Sequence, residues 1–343
     1  MRPSGARQKG CLVEYRYLGN SGLQVSLAGL GTNQFGGRLD VEGTANVVSA
    51  ALDLGINFFD EADIYGGRGK SEEYLGRALQ GRRHEVVLTT KFGNRMGDGP
   101  MRNGASRRYI MQAVEDSLRR LQTDYIDLYQ VHVPDPYTPQ DETMRTLDDL
   151  VCAGKVRYIG CSNYEAWRIA DASWTARHAH LVPLASAENQ YSLLDRRVEA
   201  EVIPAVRHYG MGFIPYAPLA RGMLTGKYER GTPAPEGTRL ATAPQARALL
   251  VDRNFQLIEQ LTAYATAHGH SMLELALSWL ASKSFVSSVI AGTTSVAQLQ
   301  ENVAATTAWR LSPEEMAEVD AISAPNTPPP FESAGAPPAI PLV

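Results

Sequence analysis

The strongest constraint in this sequence is a regular alternation between short apolar runs and amphipathic segments. Eight runs have the length and composition of buried strands, and they cover residues 25–31, 56–60, 85–91, 126–132, 156–162, 184–190, 212–216 and 287–293. Amphipathic stretches with helical spacing separate them, and the clearest are residues 44–54, 71–80, 107–121, 143–152 and 199–209. This order predicts eight successive strand-helix units.

Strict alternation of strands and helices favours a parallel sheet with right-handed crossovers. Eight such units fit a closed (β/α)8 TIM barrel better than two open sheets, so we predict an α/β barrel. An open doubly wound sheet is the alternative, but no segment reads GxGxxG, which argues against a dinucleotide-binding domain of that type. A β-hairpin over residues 15–26, turning at residues 20–22, is predicted to precede the barrel.

The two ends of the chain differ in composition from the rest. Residues 1–12 are basic and show no periodicity, and residues 324–343 are dense in proline. We therefore expect a disordered leader over residues 1–12, a single barrel domain over residues 13–323 and a disordered tail over residues 324–343.

Composition argues against several classes of partner. With 44% hydrophobic and 20% charged residues the chain is globular, and a net charge of -4 provides no basic surface for a nucleic acid. No stretch approaches the roughly 18 to 20 apolar residues of a membrane span, and residues 1–10 lack the apolar core of a signal peptide. Cys11, Cys152 and Cys161 are too few and too irregularly spaced for a disulfide framework or a zinc site. We expect a cytoplasmic protein without a bound metal.

Four reactive side chains follow the second, third and fourth predicted strands. Asp60 ends the second strand with Tyr65 five residues on, Lys91 ends the third, and His132 ends the fourth. The carboxyl ends of barrel strands meet at one rim, so we expect the four to converge. A nearby ammonium lowers the pKa of a tyrosine from its ordinary value near ~10, and an aspartate keeps a buried lysine charged. The set predicts a proton-transfer site in which Tyr65 is the acid and His132 hydrogen-bonds the same substrate oxygen.

Seven ordered segments of the chain carry a resemblance to a known family. They read FFDEADIYG, LTTKFG, YQVHVPD, GCSNY, ENQYS, PYAPLARGMLTGKY and IAGTTSVAQLQEN. In this order and spacing the chain resembles the aldo-keto reductase superfamily. It is closer to the bacterial, plant and potassium-channel β-subunit branch than to the mammalian aldose reductase type, because the segment AGTTS lacks a lysine. The resemblance implies an NADP(H)-dependent enzyme that reduces an aldehyde or ketone on a TIM barrel.

The same resemblance implies catalytic roles for the four residues at the strand ends. Tyr65 would be the general acid, and Lys91 would lower its pKa. Asp60 would pair with Lys91, and His132 would orient the carbonyl. The roles implied by the family and those derived from the residues are therefore the same.

The resemblance also implies a cofactor site along the later strands. The nicotinamide ring would stack on Tyr216, and its carboxamide would hydrogen-bond to Ser162, Asn163 and Gln190. The remaining implied cofactor positions are Thr32, Asp60, Pro218, Leu219, Gly222, Lys227, Arg239, Gly292, Thr294, Gln298, Glu301 and Asn302. A helix start after the eighth strand favours a phosphate, and the two basic residues in this set supply charge for a 2′-phosphate. We expect NADPH, with NADH as the alternative.

Two acidic residues after the second strand add negative charge near the phenol. Glu61 follows Asp60, and Asp63 lies two residues before Tyr65. If buried there, they would raise the pKa of the phenol. We expect at least one of them to face solvent instead. Cys161 has no assigned role, because a buried cysteine usually acts as a small apolar side chain.

The substrate pocket is expected in the loops that follow the strands. Phe35 and Arg38, residues 92–103 and 134–139, and part of residues 219–243 would surround it. The polar side chains of these loops suggest a sugar or a small polar aldehyde.

Two other functions fit the same residues. One is a regulatory subunit that binds NADP(H), senses redox state and turns over slowly. The other is a barrel isomerase or lyase in which Lys91 forms a Schiff base with a carbonyl substrate. The sequence leaves the physiological carbonyl and the oligomeric state open.

Overall fold

The computed structural model describes residues 13–242 and 248–324. The predicted leader and, apart from Ala324, the predicted tail lie outside the described residues. The described chain begins with a hairpin of two antiparallel strands, β1 (Tyr15–Tyr17) and β2 (Gln24–Ser26). Eight parallel strands follow, and they are β3 (Ala28–Gly31), β4 (Phe58–Asp60), β5 (Val87–Phe92), β6 (Ile126–Val131), β7 (Val156–Ser162), β8 (Leu184–Gln190), β9 (Gly212–Tyr216) and β10 (Val289–Gly292).

The eight parallel strands close into a barrel. Strands β3 to β9 lie side by side in chain order, and β10 pairs in parallel with β3. Phe213 in β9 accepts a backbone hydrogen bond of 2.9 Å from Ser287 and donates one of 3.2 Å to Phe285, just ahead of β10. Strands β9 and β10 therefore also meet, which closes the sheet, and the predicted (β/α)8 barrel is confirmed.

Helices lie between the strands and at the end of the described chain. They are α1 (Val41–Asp53), α2 (Tyr65–Arg68), α3 (Lys70–Ala78), α4 (Arg107–Leu121), α5 (Gln140–Cys152), α6 (Ala166–His178), α7 (Val202–Tyr209), α8 (Arg239–Thr242), α9 (Asp252–Ala267), α10 (Met272–Ser282), α11 (Val296–Ala308) and α12 (Pro313–Ile322). None of the helices within the described ranges has both the length and the apolar character needed to cross a bilayer.

Helix starts follow the capping residues more closely than the apolar pattern. Helix α1 begins three residues before the predicted stretch because the side chain of Asp40 accepts a hydrogen bond from the N–H of Gly43. Ser106 caps α4 in the same way, and there the predicted and observed bounds agree. Serine and glutamate form a capping box at the start of both α10 and α12.

The hairpin closes the N-terminal end of the barrel. Leu18 and Val25 are fully buried, and they pack in one cluster with the barrel side chains Phe58, Val87, Leu128, Ile214 and Ile290. The turn also lies against the barrel backbone, since a Cβ on Gly19, whose φ is 57°, would lie 2.4 Å from the backbone nitrogen of Gly212. The hairpin is thus part of the core, and the opposite, C-terminal end of the barrel remains for the site.

The predicted first strand over residues 25–31 is divided in the structure. Val25 pairs with Arg16 in the hairpin, whereas the barrel strand starts at Ala28. Between them the N–H of Leu27 donates a hydrogen bond of 2.7 Å to the carbonyl of Glu14. The apolar run is continuous because both halves are buried, although they belong to different sheets.

Truncating Leu18 tests the contribution of the hairpin to the core. Leu18→Ala leaves a cavity at the closed end of the barrel and should lower the free energy of unfolding by about 2 to 5 kcal/mol, measured by urea denaturation. Leu23→Ala, in the same hairpin but only partly buried, is the control and should lower it clearly less. Equal losses in the two variants would contradict a closing role for the hairpin.

Candidate active site

Strands β4 and β5 bring Asp60 and Lys91 side by side. Asp60 is the last residue of β4, and Lys91 is the penultimate residue of β5, a strand buried along its whole length. The Nζ atom of Lys91 lies 2.5 Å from Oδ1 of Asp60, and the lysine side chain has no solvent exposure. Parallel pairing of neighbouring strands therefore places an ion pair inside the barrel.

The ammonium of Lys91 has two further partners. It donates a hydrogen bond of 3.1 Å to the backbone carbonyl of Glu61 and lies 3.3 Å from a carboxylate oxygen of Glu188 on β8. Burial alone would lower the pKa of Lys91, but Asp60 and Glu188 outweigh burial and raise that pKa above its ordinary value. Lys91 is therefore a charged ammonium, as the pairing with Asp60 predicted.

A tight turn after β4 positions Tyr65. Gly66 has a φ of 64°, and a Cβ there would lie 2.6 Å from the backbone nitrogen of Ser71, so a side chain does not fit. The centroid of the Tyr65 ring lies 5.6 Å from Nζ of Lys91. It lies 5.9 Å from the ring centroid of His132, and the two rings meet edge to face. The four strand-end side chains thus converge.

Burial is the largest influence on the acidity of Tyr65, and it raises the pKa of the phenol. The charge of Lys91 lowers that pKa, as predicted, but the charges of Asp60 and Glu188 oppose it. The net pKa of Tyr65 lies above its ordinary value. The predicted net lowering is therefore not found, because the same burial that brings Lys91 close also removes the phenol from water.

His132 is a neutral imidazole at the same rim. Burial first and then the charge of Lys91 lower the pKa of His132 to about 3. Its backbone is held on both sides. Its N–H donates a hydrogen bond of 2.7 Å to the carbonyl of Phe92, and its carbonyl accepts a hydrogen bond of 2.9 Å from the side-chain amide of Asn163. Its Nδ1 atom is buried and has no hydrogen-bond partner in the described part of the chain.

Asp60, Tyr65 and His132 line a cavity of about 640 Å³ at the C-terminal end of the barrel, and Lys91 is buried directly behind Asp60. This volume suits a small organic ligand. Most of the residues assigned to the cofactor also line it, namely Thr32, Asp60, Ser162, Asn163, Tyr216, Pro218, Leu219, Gly222, Lys227, Arg239, Gly292, Thr294 and Gln298.

Three residues assigned to the cofactor lie away from this lining. Gln190 belongs to a neighbouring hollow that it shares with Asn163 and Tyr216. Glu301 is exposed on α11, and Asn302 beside it is buried. Glu188, two residues before Gln190 on the same face of β8, lines the cavity instead. The alternation of side chains along β8 was the available signal, but it does not say which of two residues on one face reaches the cavity.

The part of the cavity beside His132 is organised by Asn163. The phenol of Tyr216 donates a hydrogen bond of 2.7 Å to Oδ1 of Asn163. The amide nitrogen of Asn163 donates a hydrogen bond of 3.1 Å to Oγ of Ser162 and the hydrogen bond of 2.9 Å to the carbonyl of His132. Asn163 has a φ of 59°, a left-handed conformation that asparagine tolerates better than most residues. One amide thus orients an aromatic ring and a hydroxyl beside the proton-transfer residues.

The part of the cavity formed by the loop after β9 carries more basic than acidic side chains, with Glu236 as its one acidic lining residue in the described part of that loop. Arg221, Lys227 and Arg239 line it, with Arg38 from the loop after β3. Burial lowers the pKa of Arg239, and the positive charges of Arg221 and Arg38 lower it further, so the guanidinium groups lie close enough to repel one another. Such a cluster favours an anion. Arg221 was not predicted, because it reaches the cavity from a turn in which its φ is 59°, and the sequence carries no signal for that conformation.

The start of α11 also faces the cavity. Oγ of Ser295 accepts a hydrogen bond of 3.2 Å from the N–H of Gln298 and caps the helix. The side chain of Gln298 in turn accepts 2.8 Å from the backbone N–H of Thr294. Backbone N–H groups at a helix start add to the preference for an anion in this region.

Of the predicted substrate loops, part of residues 219–243 lines the cavity, whereas residues 92–103 and 134–139 contribute no residue to its lining. Arg38 lines the cavity, but Phe35 is fully buried in the core between strands and helices and is not a pocket residue. The loops after β5 and β6 are joined by Asp135. Its carboxylate accepts one hydrogen bond of 2.7 Å from the backbone N–H of Ala105 and another of 2.7 Å from the hydroxyl of Thr138.

Comparison with known proteins decides the family. Residues 28–324 match the sequence model described as the Aldo/keto reductase family. The chain belongs to this family. The resemblance found in the seven sequence segments is thereby confirmed, and it extends over nearly all of the described residues.

Several relatives are similar to this chain over almost their full length. It is 37% identical over 321 residues to a probable voltage-gated potassium channel subunit beta of Oryza sativa subsp. japonica, covering 90% of this chain and 96% of that protein. It is 38% identical over 304 residues to the uncharacterized oxidoreductase YrpG of Bacillus subtilis (strain 168), and the match covers 85% of this chain and 91% of that protein. It is 35% identical over 321 residues to the L-glyceraldehyde 3-phosphate reductase of Escherichia coli (strain K12), and the match covers 90% of this chain and 92% of that protein.

Glu61 and Asp63 are both buried in this aldo/keto reductase, so the expectation that one of them faces solvent is wrong. The carboxyl group of Glu61 accepts a hydrogen bond of 2.7 Å from the hydroxyl of Ser71 and one of 3.0 Å from the N–H of Ala62. Neither oxygen of Asp63 accepts a hydrogen bond of normal geometry from the described residues. Burial raises the pKa of both carboxyls well above the ordinary value.

No cysteine of the described residues lines the cavity. Cys161 is buried, its thiol lies 3.7 Å from the carbonyl of Ser186, and Cys152 is exposed on α5. Both are free thiols, and Cys11 lies outside the described residues. Within residues 13–242 and 248–324 no group of three acidic, histidine or cysteine side chains is arranged to hold a metal ion.

Neutralising Asp63 should stabilise the aldo/keto reductase. The pKa of this carboxyl is raised by folding, so its ionisation destabilises the folded state increasingly as pH rises above about 4, its ordinary value. Asp63→Asn should raise the melting temperature at pH 8, and the gain should be smaller at pH 5. Asp124→Asn, at an exposed position, is the control and should change neither value. A gain independent of pH would contradict this explanation.

Proposed function

We propose that this aldo/keto reductase reduces an aldehyde or ketone to the alcohol with NADPH and uses Tyr65 as the proton donor. The observation that carries the proposal is the buried contact of 2.5 Å between Lys91 and Asp60, directly behind a phenol and an imidazole that line one cavity. An acid, a charge that stabilises its conjugate base and a hydrogen-bond donor are the groups that carbonyl reduction requires.

Tyr65 supplies the proton in this proposal. As the carbonyl carbon is reduced, its oxygen becomes an alkoxide, which is basic enough to take the proton even from a phenol of raised pKa. The phenolate that remains lies near the Lys91 ammonium, with a distance of 5.6 Å from Nζ to the ring centroid. Lys91 therefore stabilises the product state of the proton transfer, and Asp60 keeps Lys91 in place and charged.

His132 orients the carbonyl. Because its pKa is lowered to about 3, the ring is neutral at physiological pH and carries one N–H donor. Its ring is 5.9 Å from that of Tyr65, so one substrate oxygen can accept a hydrogen bond from both. A neutral donor positions the oxygen without competing with Tyr65 as the source of the proton.

The cavity has the donor groups that a dinucleotide cofactor requires. Members of this family use NAD(P)H, which supplies a hydride to the carbonyl carbon when bound. Tyr216 would stack on the nicotinamide, and Ser162 and Asn163 would contact its carboxamide. The phosphates would lie at the basic end, among Lys227, Arg239 and the residues around the start of α11. The basic side chains Arg221, Lys227 and Arg239 line this part of the cavity, and they support a cofactor with the additional charge of a 2′-phosphate, and hence NADPH over NADH.

The substrate is proposed to be a small polar carbonyl compound. Polar side chains such as Asn33, Gln34 and Arg38 line the cavity beside the catalytic residues. A relative with 35% identity carries the name L-glyceraldehyde 3-phosphate reductase, which supports a sugar-like or triose-like aldehyde. A panel of aldehydes, ketones and sugars with NADPH consumption as readout tests this class.

Replacing the proposed proton donor is the direct test of the mechanism. Tyr65→Phe should lower kcat by about 10² to 10⁴-fold, the usual contribution of a general acid, while cofactor binding followed by fluorescence stays near normal. Tyr17→Phe, at the opposite end of the barrel, is the control and should keep full activity. Near-normal turnover by Tyr65→Phe would refute the assignment.

The cofactor preference is tested at the basic end of the cavity. Arg239→Gln should raise KM for NADPH by about tenfold or more, because a hydrogen bond between charged groups contributes about 1.5 to 3 kcal/mol. KM for NADH should change much less, since NADH lacks the 2′-phosphate. Arg230→Gln, in the same loop but paired with Glu259, is the control. Equal effects on both cofactors would argue against a 2′-phosphate contact at Arg239.

The alternative of a regulatory subunit remains open to test. Relatives in Oryza sativa and Arabidopsis thaliana carry the name probable voltage-gated potassium channel subunit beta, and one in Schizosaccharomyces pombe carries the name putative voltage-gated potassium channel subunit beta. A protein of that kind would hold the cofactor tightly and turn over slowly. Single-turnover reduction far faster than steady-state turnover, with cofactor copurifying, would favour this alternative over an ordinary reductase.

The Schiff-base alternative is disfavoured by the surroundings of Lys91. A Schiff base requires a neutral amine that can reach the carbonyl. The Lys91 nitrogen is instead a fully buried ammonium, held by two carboxyl groups and a backbone carbonyl, and its pKa is raised.

A further inference from the structure

Glu188 is a buried acid to which neither the sequence motifs nor the proposed mechanism assigns a role. Its carboxyl lies 3.3 Å from Nζ of Lys91 and accepts a hydrogen bond of 2.7 Å from the side-chain amide of Gln130. Only 2% of its surface is exposed, yet it lines the cavity next to Asp60. A charge on this carboxyl raises the pKa of both Lys91 and Tyr65.

Two carboxyls therefore share the single ammonium of Lys91. Asp60 makes the shorter contact, 2.5 Å against 3.3 Å for Glu188, and the two carboxyls are within hydrogen-bonding reach of each other. Two like charges so close in a buried site do not both ionise near neutrality, and the pair then holds one proton. The proton belongs on Glu188, because the Asp60 carboxylate has the closer contact with the ammonium.

We propose that Glu188 is a positioning residue that acts through Lys91: while it keeps a proton, Lys91 and Asp60 form a balanced pair, and when it ionises the added negative charge weakens Tyr65 as an acid. This inference rests on the proposed reduction. Burial and the charge of Asp60 raise the pKa of Glu188 to about 8, so the change falls within the pH range in which the protein can be studied. Carbonyl reduction should then fall on the alkaline side.

The other groups that face Glu188 do not titrate in that range. Lys91 on β5 keeps its charge because Asp60 and Glu188 raise its pKa. Burial and the charge of Glu188 raise the pKa of Cys161 on β7 and of Tyr216 on β9, so both stay protonated. The same holds for Tyr65 in the turn after β4. The carboxyl pair of Asp60 and Glu188 is therefore the group that loses a proton there.

The glutamine variant imitates the protonated state. Glu188→Gln should keep reduction at pH 7 within about threefold of the unmodified protein, and the alkaline fall in kcat that the unmodified protein shows should disappear. Gln130→Met removes the amide that favours the ionised form of Glu188, so it should move the fall to higher pH. Glu61→Gln removes a different buried carboxyl and should leave the fall in place.

Two readouts do not depend on turnover. The infrared band of a protonated carboxyl should be present at pH 6, lose intensity by pH 9, and be reduced at pH 6 in Glu188→Gln. Ionisation of a buried carboxyl whose pKa is raised destabilises the folded state as pH rises. The melting temperature of Glu188→Gln, relative to the unmodified protein, should therefore increase from pH 6 to pH 9.

The outcomes separate this inference from the proposed function. An alkaline fall that persists unchanged in Glu188→Gln overturns the inference, as does a difference in melting temperature that is constant with pH. If neither protein reduces any carbonyl, the proposed function fails. The infrared and melting comparisons then still decide whether Glu188 holds the proton.

Discussion

The buried ammonium of Lys91 is the charge around which the rest of the site is arranged. An ammonium without solvent contact is stable only if acceptors surround it, and removal of one partner leaves an uncompensated charge. Here Asp60 and Glu188 are the acceptors, and they come from β4 and β8 on different sides of the closed sheet. The site therefore exists only when the barrel is closed. The proton-transfer geometry and the folding of the barrel depend on the same contacts.

The N-terminal end of the barrel contributes to the stability of the fold, whereas the C-terminal end holds the residues of the site. The N-terminal end is closed by the hairpin, whose apolar side chains continue the interior core. The C-terminal end carries turns with uncommon backbone conformations, such as Gly66 and Arg221, which direct side chains into the cavity. Glycine adopts such a conformation freely, but at Arg221 it is strained, and the closed core beneath the turn provides the rigidity to hold it. One cavity thus joins a proton donor to a cluster of cations.

Position along the strands explains which site residues could be predicted. Asp60, Lys91 and His132 lie at the ends of strands, and parallel pairing brings such positions together in any barrel of this kind. Glu188 and Gln190 lie two residues apart on one face of β8, so the strand period alone does not distinguish a cavity residue from its neighbour. Phe35 and Arg38 belong to one loop, and only the folded loop shows that the first enters the core and the second reaches the cavity.

The sequence by itself determined the barrel, the hairpin, the family and the four residues at the strand ends, because periodicity and motif order are local properties of the chain. The tertiary structure decided the electrostatics. It showed that Glu61 and Asp63 are buried, that Glu188 shares the ammonium of Lys91, and that the net pKa of Tyr65 is raised. These properties depend on burial and on distances between residues far apart in sequence, and only a closed barrel defines them.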